Sequence, residues 1–280
     1  MQKLLLIELK KIFRRPRTYI GFIAIAALVL LVQLLFLSQG EDFMQLLLKA
    51  VIDSGFEVHG KVITGFLVCF IILFFLIIHV PLLVTFVAAD AVSGEANMGT
   101  LRLLLSKPLS REKLLLSKFF AASVYSMMLL ILLAVMSLFG SILLFGKGDM
   151  LVMAESKAVL LLKDDIMWRY AAAFGMAALA MLTVTALAFL LSIFADNSIG
   201  PIVATMSIII LFTIICKLKF PITEKLKYFL FTYHMEAWTR FFDDPVNYGE
   251  IIQSIFILIF HIILFVAAAM YIFKRKDILS

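Results

Sequence analysis

Side chains able to do chemistry are scarce in this chain, and their spacing does not gather them. Of 280 residues, 64% are hydrophobic and 16% charged. The outer acid pairs Asp164-Asp165 and Asp243-Asp244 are the candidates for acid–base work at a membrane surface. Each sits at the end of a polar stretch and reads as a solvated loop end rather than half of a catalytic cluster. The stretch GSILLFGKGD (140–149) approaches a phosphate loop but fails G-x-x-x-x-G-K-[ST] in spacing and in its final residue. It also closes an apolar run instead of joining a strand to a helix. No H-E-x-x-H or G-x-S-x-G occurs. Cys69 and Cys216 lie in or at the end of apolar runs, without C-x-x-C or Cys/His ligand spacing, and read as small packed residues. Most methionines, such as Met127, Met128, Met136, Met176, Met181 and Met206, stand in apolar runs where flexible packing is their ordinary role; no Met ladder lies in a loop. The expectation is a chain with no catalytic residue, no metal ligand set and no cofactor of its own.

The elements that must position what remains are apolar runs of membrane length, about 20 residues each. Their lack of alternation argues for helices over transmembrane strands. The spacing predicts an all-α polytopic membrane protein, one domain over 1–280, with six spans at about 19–38, 63–89, 119–145, 170–195, 199–216 and 251–273. Basic residues concentrate in 3–17, 102–118 and 274–276, which by the positive-inside rule places those segments and both termini in the cytoplasm. The net charge of +6 therefore reflects topology and anionic lipid, not nucleic acid. The N-terminus has too long a polar lead and too long an apolar run for a cleaved signal peptide. Before the first span, Leu5, Leu9, Ile12 and Phe13 recur at helical spacing among Lys10, Lys11, Arg14 and Arg15. That pattern predicts an interfacial amphipathic helix over 1–18, ending at the Arg15-Pro16 turn. The polar stretch 217–250 carries Tyr228, Phe229, Phe231, Tyr233, Trp238, Phe241 and Phe242, expected as short helices in an aromatic belt at the outer interface. The span interiors hold no Asp, Glu, Lys or Arg; Gln33, His79 and His261 stand out among their polar residues. Coupling to an ion gradient generally needs intramembrane carboxylates or polar broken helices, so that class is disfavoured. His79, two residues before Pro81, and His261 read as packed or pore-facing histidines. Ala171-x-x-x-Gly175 and Gly200-x-x-x-Ala204 offer close packing, within the chain or at a dimer seam.

One segment departs from this apolar pattern: EANMGTLRLLLSKPLSREKLLLSKF, residues 95–119. Thr100 suits an N-cap, Leu101, Leu104 and Leu105 form one strip, and Arg102 and Lys107 face away from it. Lys107 precedes Pro108, which ends a two-turn helix there. Ser110 then caps a new helix with Glu112 in its first turn, running through Lys118 into the third span. A plain basic loop obeying the charge rule would also fit the composition. The order of residues is more specific. Glu95, Gly99, Thr100, Leu101, Leu104, Leu105, Pro108, Ser110, Arg111, Leu114, Leu115 and Lys118 match E-x-x-x-G-T-L-x-x-L-L-x-x-P-x-S-R-x-x-L-L-x-x-K. In this the chain resembles the permease subunits of type-2 ABC transporters. The basic N-terminal helix and the closing FKRKDI (273–278) are similar to that family's ends.

The resemblance implies a division of labour. Two permease copies, identical or different, would pair, and separate ATPase subunits that bind ATP and Mg would dock beneath them. The helix at about 100–107 would be the coupling helix. Leu101, Leu104 and Leu105 would anchor it, while Arg102, Lys107 and Arg111 would meet acidic groups on the ATPase or lipid headgroups. Glu95 would tie the second span to the N-terminal helix, and Pro108 would act as hinge. The expectation is an exporter in the cell membrane moving an apolar substrate such as a lipid, peptide or drug. A membrane anchor or sensor for an ATPase, without translocation, is the competing class; an interfacial enzyme is disfavoured by the missing polar cluster.

Overall fold

The structure is a computed structural model and describes residues 1–53, 62–76, 79–100, 110–154, 157–218 and 220–275. Five helices among them are long and apolar enough to cross a membrane, or six when one bent pair is counted as a span. A short helix, α1 (Gln2–Arg14), precedes α2 (Pro16–Asp53). The bent pair is α3 (Gly65–Leu76) and α4 (His79–Asn97), whose axes differ by 52°. Next come α5 (Arg111–Phe145), α6 (Lys163–Ser192), α7 (Ile199–Lys217) and, after a run of short helices, α10 (Tyr248–Arg275). The spans follow the apolar runs, but several helices outlast them. Helix α2 continues past the polar residues Ser38, Gln39, Glu41 and Asp42 to Asp53, because leaving the apolar layer removes no backbone hydrogen bond from a helix.

Two local features were not anticipated. Between α5 and α6 lies an antiparallel hairpin, β1 (Met150–Ala154) with β2 (Lys157–Leu161), pairing Met150 with Leu161 and Val152 with Val159. Within α5, Val135–Phe139 forms a π-turn. Such a turn disturbs the regular carbonyl pairing. Gln33 of α2 answers it: its Nε2 donates to the Met136 carbonyl at 2.9 Å and to Ser141 Oγ at 3.0 Å. Gln33, the amide within the apolar run of α2, is thereby satisfied.

Of the five unbroken spans, α6 is the most buried, and α7 and α10 are the most exposed. Burying apolar surface drives little association inside a bilayer, so close packing and interhelical hydrogen bonds must hold the spans together. Ala88 and Ala89 of α4, Ala122 of α5 and Ala188 of α6 form a fully buried cluster where these three helices meet. Beside it, Ser126 and Thr185 share a hydrogen bond of 2.8 Å across α5 and α6. The expected small-residue pairs behave otherwise. Gly175 has no atom within 4 Å of the position a Cβ would take, and both Gly175 and Gly200 face outward. They do not pack the chain internally.

At the hairpin end, α8 (Pro221–Leu226), a 3-10 turn (Lys227–Phe229), α9 (Phe231–Met235) and a longer 3-10 stretch (Glu236–Phe242) follow α7. Here the belt expectation holds only in part. Tyr228 and Phe229 are exposed, but Phe231, Trp238, Phe241 and Phe242 are buried. Phe242 packs edge-on against Tyr170 of α6 and Phe70 of α3, with centroids 4.9 and 5.2 Å apart. Buried Arg169 fixes this lid: its Nη1 donates to the carbonyls of Phe241 and Asp243, both at 2.8 Å, and its Nε donates to Asp165. Asp165 is thus a partner of Arg169 and of the Trp168 indole, not a member of a catalytic pair. His261 is packed among Phe231, Phe260 and Phe265. His79 is not packed: it is exposed at the bend between α3 and α4, its Nδ1 3.1 Å from the Phe75 carbonyl.

Candidate functional site

The densest polar chemistry lies at the opposite end of the bundle, where α1 meets α4 and α5. Helix α1 stops at Arg15, whose extended backbone (φ −89°, ψ 123°) precedes Pro16, as a pre-proline residue must. The turn is locked by Thr18, which donates its hydroxyl to the Ile12 carbonyl at 2.5 Å. Tyr125 of α5 donates in turn to the Thr18 carbonyl at 3.1 Å, and its ring packs with Phe13 and Phe22. These contacts hold α1 across α5, with Lys10 and Arg14 outward and exposed and Lys11 and Arg15 turned in.

The inward residues complete a closed ring of charge. Lys11 Nζ lies 2.7 Å from Glu8 and 2.8 Å from Glu95 of α4. Lys118 Nζ of α5 lies 2.9 Å from Glu8 and 2.6 Å from Glu95. Two carboxylates and two ammonium groups alternate, so the ring is neutral. Lys118 is 2% exposed and Glu95 4%. Glu95 Oε2 meets Lys118 as an ion contact without an aligned hydrogen bond. Burial pulls the Lys11 ammonium down, but its bonds to Glu8 and Glu95 outweigh that and hold its pKa above the ordinary value.

A second cluster sits one turn away along α4. Asp90 accepts from both Arg15 and Arg17 on Oδ2 and from Ser198 on Oδ1. It joins the α1–α2 turn to the start of α7. Both clusters border a cavity of about 320 Å³.

The segment that leaves this junction starts just after Glu95. Helix α4 ends at Gly99, whose φ of +68° is a left-handed conformation that favours glycine, and the Thr100 hydroxyl donates to the Glu95 carbonyl at 3.3 Å. Leu101, Arg102, Leu104, Leu105, Lys107 and Pro108 lie outside the described residues. At the far side of the gap Ser110 caps α5, accepting from the Lys113 N–H at 3.3 Å, with Glu112 in the first turn. Arg111 reaches the Lys274 carbonyl at 3.4 Å, linking α5 to the end of α10. Of the residues singled out from sequence, Glu95, Lys11 and Arg15 enter the two clusters. Lys118, a motif residue with no role assigned from sequence, belongs there equally, as do Glu8, Asp90 and Arg17, which the sequence does not single out. A basic residue beside a span reads as a headgroup anchor, and nothing in its spacing reveals a carboxylate 84 or 110 positions away.

A family model described as ABC-2 family transporter protein matches residues 3–278. The chain belongs to the ABC-2 transporter family. Family and apolar helices together make it a multi-pass membrane protein. A relative from Bacillus subtilis (strain 168), named "Uncharacterized protein YhcI", is 27% identical to this ABC-2 family chain over 200 residues. The match takes in 69% of the present chain and 62% of that protein, so the chain spans less than two thirds of its relative's length.

Proposed function

We propose that this ABC-2 family chain is the permease subunit of an ABC exporter: it forms the translocation pathway as a dimer and is driven by separate ATPase subunits through the segment 100–107. ATP and Mg bind those subunits; this chain carries no cofactor. By this reading α1 lies in the inner interface of the cell membrane, both termini are cytoplasmic, and the bent pair α3–α4 is the sixth span. The short helix after Gly99 seats in the ATPase. Leu101, Leu104 and Leu105 anchor it, Arg102, Lys107 and Arg111 meet acidic groups, and Pro108 is its hinge. The outward glycines Gly175 and Gly200 leave room for a second copy.

One observation supports this most. The two helices flanking 101–109 are fastened to each other and to α1 by the Glu8–Lys11–Glu95–Lys118 ring. A push delivered between them therefore acts on three elements together. The test is Leu101→Asp with Arg102→Glu in the co-expressed complex, read by ATPase co-purification and ATP turnover. The reading expects both to fall at least about tenfold, the scale of a lost interface hot spot. Assembly and turnover at the wild-type level would refute the coupling assignment. ATP turnover in proteoliposomes that no candidate apolar substrate stimulates would favour the anchor or sensor reading instead.

A further inference from the structure

The cavity at the α1 end has a polar floor, apolar walls and an excess of positive charge on one side. In the ring, two ammonium groups meet two carboxylates. In the neighbouring cluster, two guanidinium groups share the single carboxylate of Asp90, which also takes the Ser198 hydroxyl. The excess charge is therefore one, and it resides on Arg15 and Arg17. Each guanidinium carries five N–H donors, yet each makes one hydrogen bond, to Asp90, among the described residues. The Arg17 side chain is 54% exposed, at the rim. Beyond it the wall turns apolar through Ile20, Phe86 and Ile199, all exposed, from α2, α4 and α7. These helices continue as membrane spans, so the rim lies where a span meets the interface.

We infer that Arg15 and Arg17 hold the phosphate of an anionic phospholipid, with the first part of one acyl chain along Ile20, Phe86 and Ile199. Guanidinium is the side chain best matched to phosphate oxygens, because its N–H groups form a planar fork. A volume of about 320 Å³ accommodates a headgroup and the first methylenes; the rest of the chain lies on the exposed wall. A soluble anion would leave that apolar wall unused, and a zwitterionic lipid would bring an ammonium group to a site already one charge in excess. The bound lipid would bridge the α1–α2 turn, α4 and α7. This inference stands apart from the transport reading and holds for either an exporter or an anchor.

The test is native mass spectrometry of the full chain purified in detergent and titrated with phosphatidylglycerol, phosphatidylcholine of the same acyl chains, or inorganic phosphate. The wild type should retain one phosphatidylglycerol about thirtyfold more tightly than phosphatidylcholine, the scale of two basic groups at an anionic surface. R15Q/R17Q should abolish that preference. R17Q, which leaves Asp90 paired with Arg15, should weaken it severalfold in a chain that still folds. K3Q/K113Q removes equal charge from exposed positions at the same end and should leave it unchanged. Equal retention of the two lipids by the wild type would overturn the site, and so would equal losses in R15Q/R17Q and K3Q/K113Q. Inorganic phosphate that displaces the lipid at comparable concentration would overturn the assignment to a lipid headgroup.

Discussion

Lys118→Met tests the charged ring most directly. Methionine matches the length of the lysine stem and removes only the ammonium group. Glu8 and Glu95 are then left buried around Lys11 alone. Removing one partner of a buried ion pair costs about 3–5 kcal/mol, mostly because a charge stays behind without compensation. Here Lys11 still touches both carboxylates, at 2.7 and 2.8 Å, and its side chain is a third exposed. Both facts place the cost at the low end, about 3 kcal/mol. For a chain of this size each kcal/mol moves the melting midpoint by about 2 °C, so a drop of roughly 6 °C is expected. Thermal unfolding of detergent-purified protein, followed by fluorescence-detected size exclusion, measures it. Adding Glu95→Gln removes the surplus carboxylate and leaves Glu8 paired with Lys11. The double variant should then lose about 1–3 kcal/mol less than the sum of the two single changes. A drop under about 2 °C for Lys118→Met, or strict additivity in the double variant, would show that the ring is not a coupled unit.

Two further outcomes follow from other parts of the bundle. A Cβ on Gly65 would lie 2.6 Å from Ile142 Cα and 2.7 Å from the Ser141 carbonyl oxygen, both backbone atoms, so Gly65→Ala should cost about 1–3 kcal/mol in the same thermal assay. Replacement with no loss would mean that α3 does not press on α5 at that point. His234, in α9, is held below the ordinary imidazole value of 6.5 by burial, with Arg240 and His261 adding to the effect against the Tyr228 carbonyl. The unfolded chain then takes up a proton more readily than the fold does. Its contribution to stability is complete above pH 6.5 and is lost as the pH falls, so the melting midpoint should drop between pH 7.5 and 5.5. His234→Gln should flatten that slope, and an unaltered slope would exclude His234 as its source.

The bundle is legible in the sequence wherever a single physical rule acts locally. Apolar runs of membrane length give the spans, the Arg15-Pro16 pair marks the turn, and Ser110 marks the start of α5. Features that depend on distant partners are not. The hairpin strands β1 and β2 are mostly apolar and do not alternate, so nothing separates them from the helix ends beside them. Lys118, Asp90 and Arg169 stand where the charge rule and the span flanks place solvated groups, and each is buried on a partner far along the chain. The aromatic residues of 231–242 carry the composition of an interfacial belt, but Arg169 and Phe70 hold Trp238, Phe241 and Phe242 inward. The 52° bend between α3 and α4 has one local sign in the sequence, Pro81. A proline near the first turn of α4 is also what permits a new helix to start there.

Arg169 has a consequence for the environments in which this protein keeps its shape. Its two carbonyl partners lie 72 and 74 positions along the chain. A contact across such a distance closes a long loop and thereby limits the freedom of everything between. In secreted proteins a disulfide commonly closes such loops. Here both cysteines are free, and the closure is made by a guanidinium group and backbone oxygens. That fastening needs no oxidant to form and no reductant can cut it. The lid at the hairpin end is thus indifferent to the redox state of the compartment it faces.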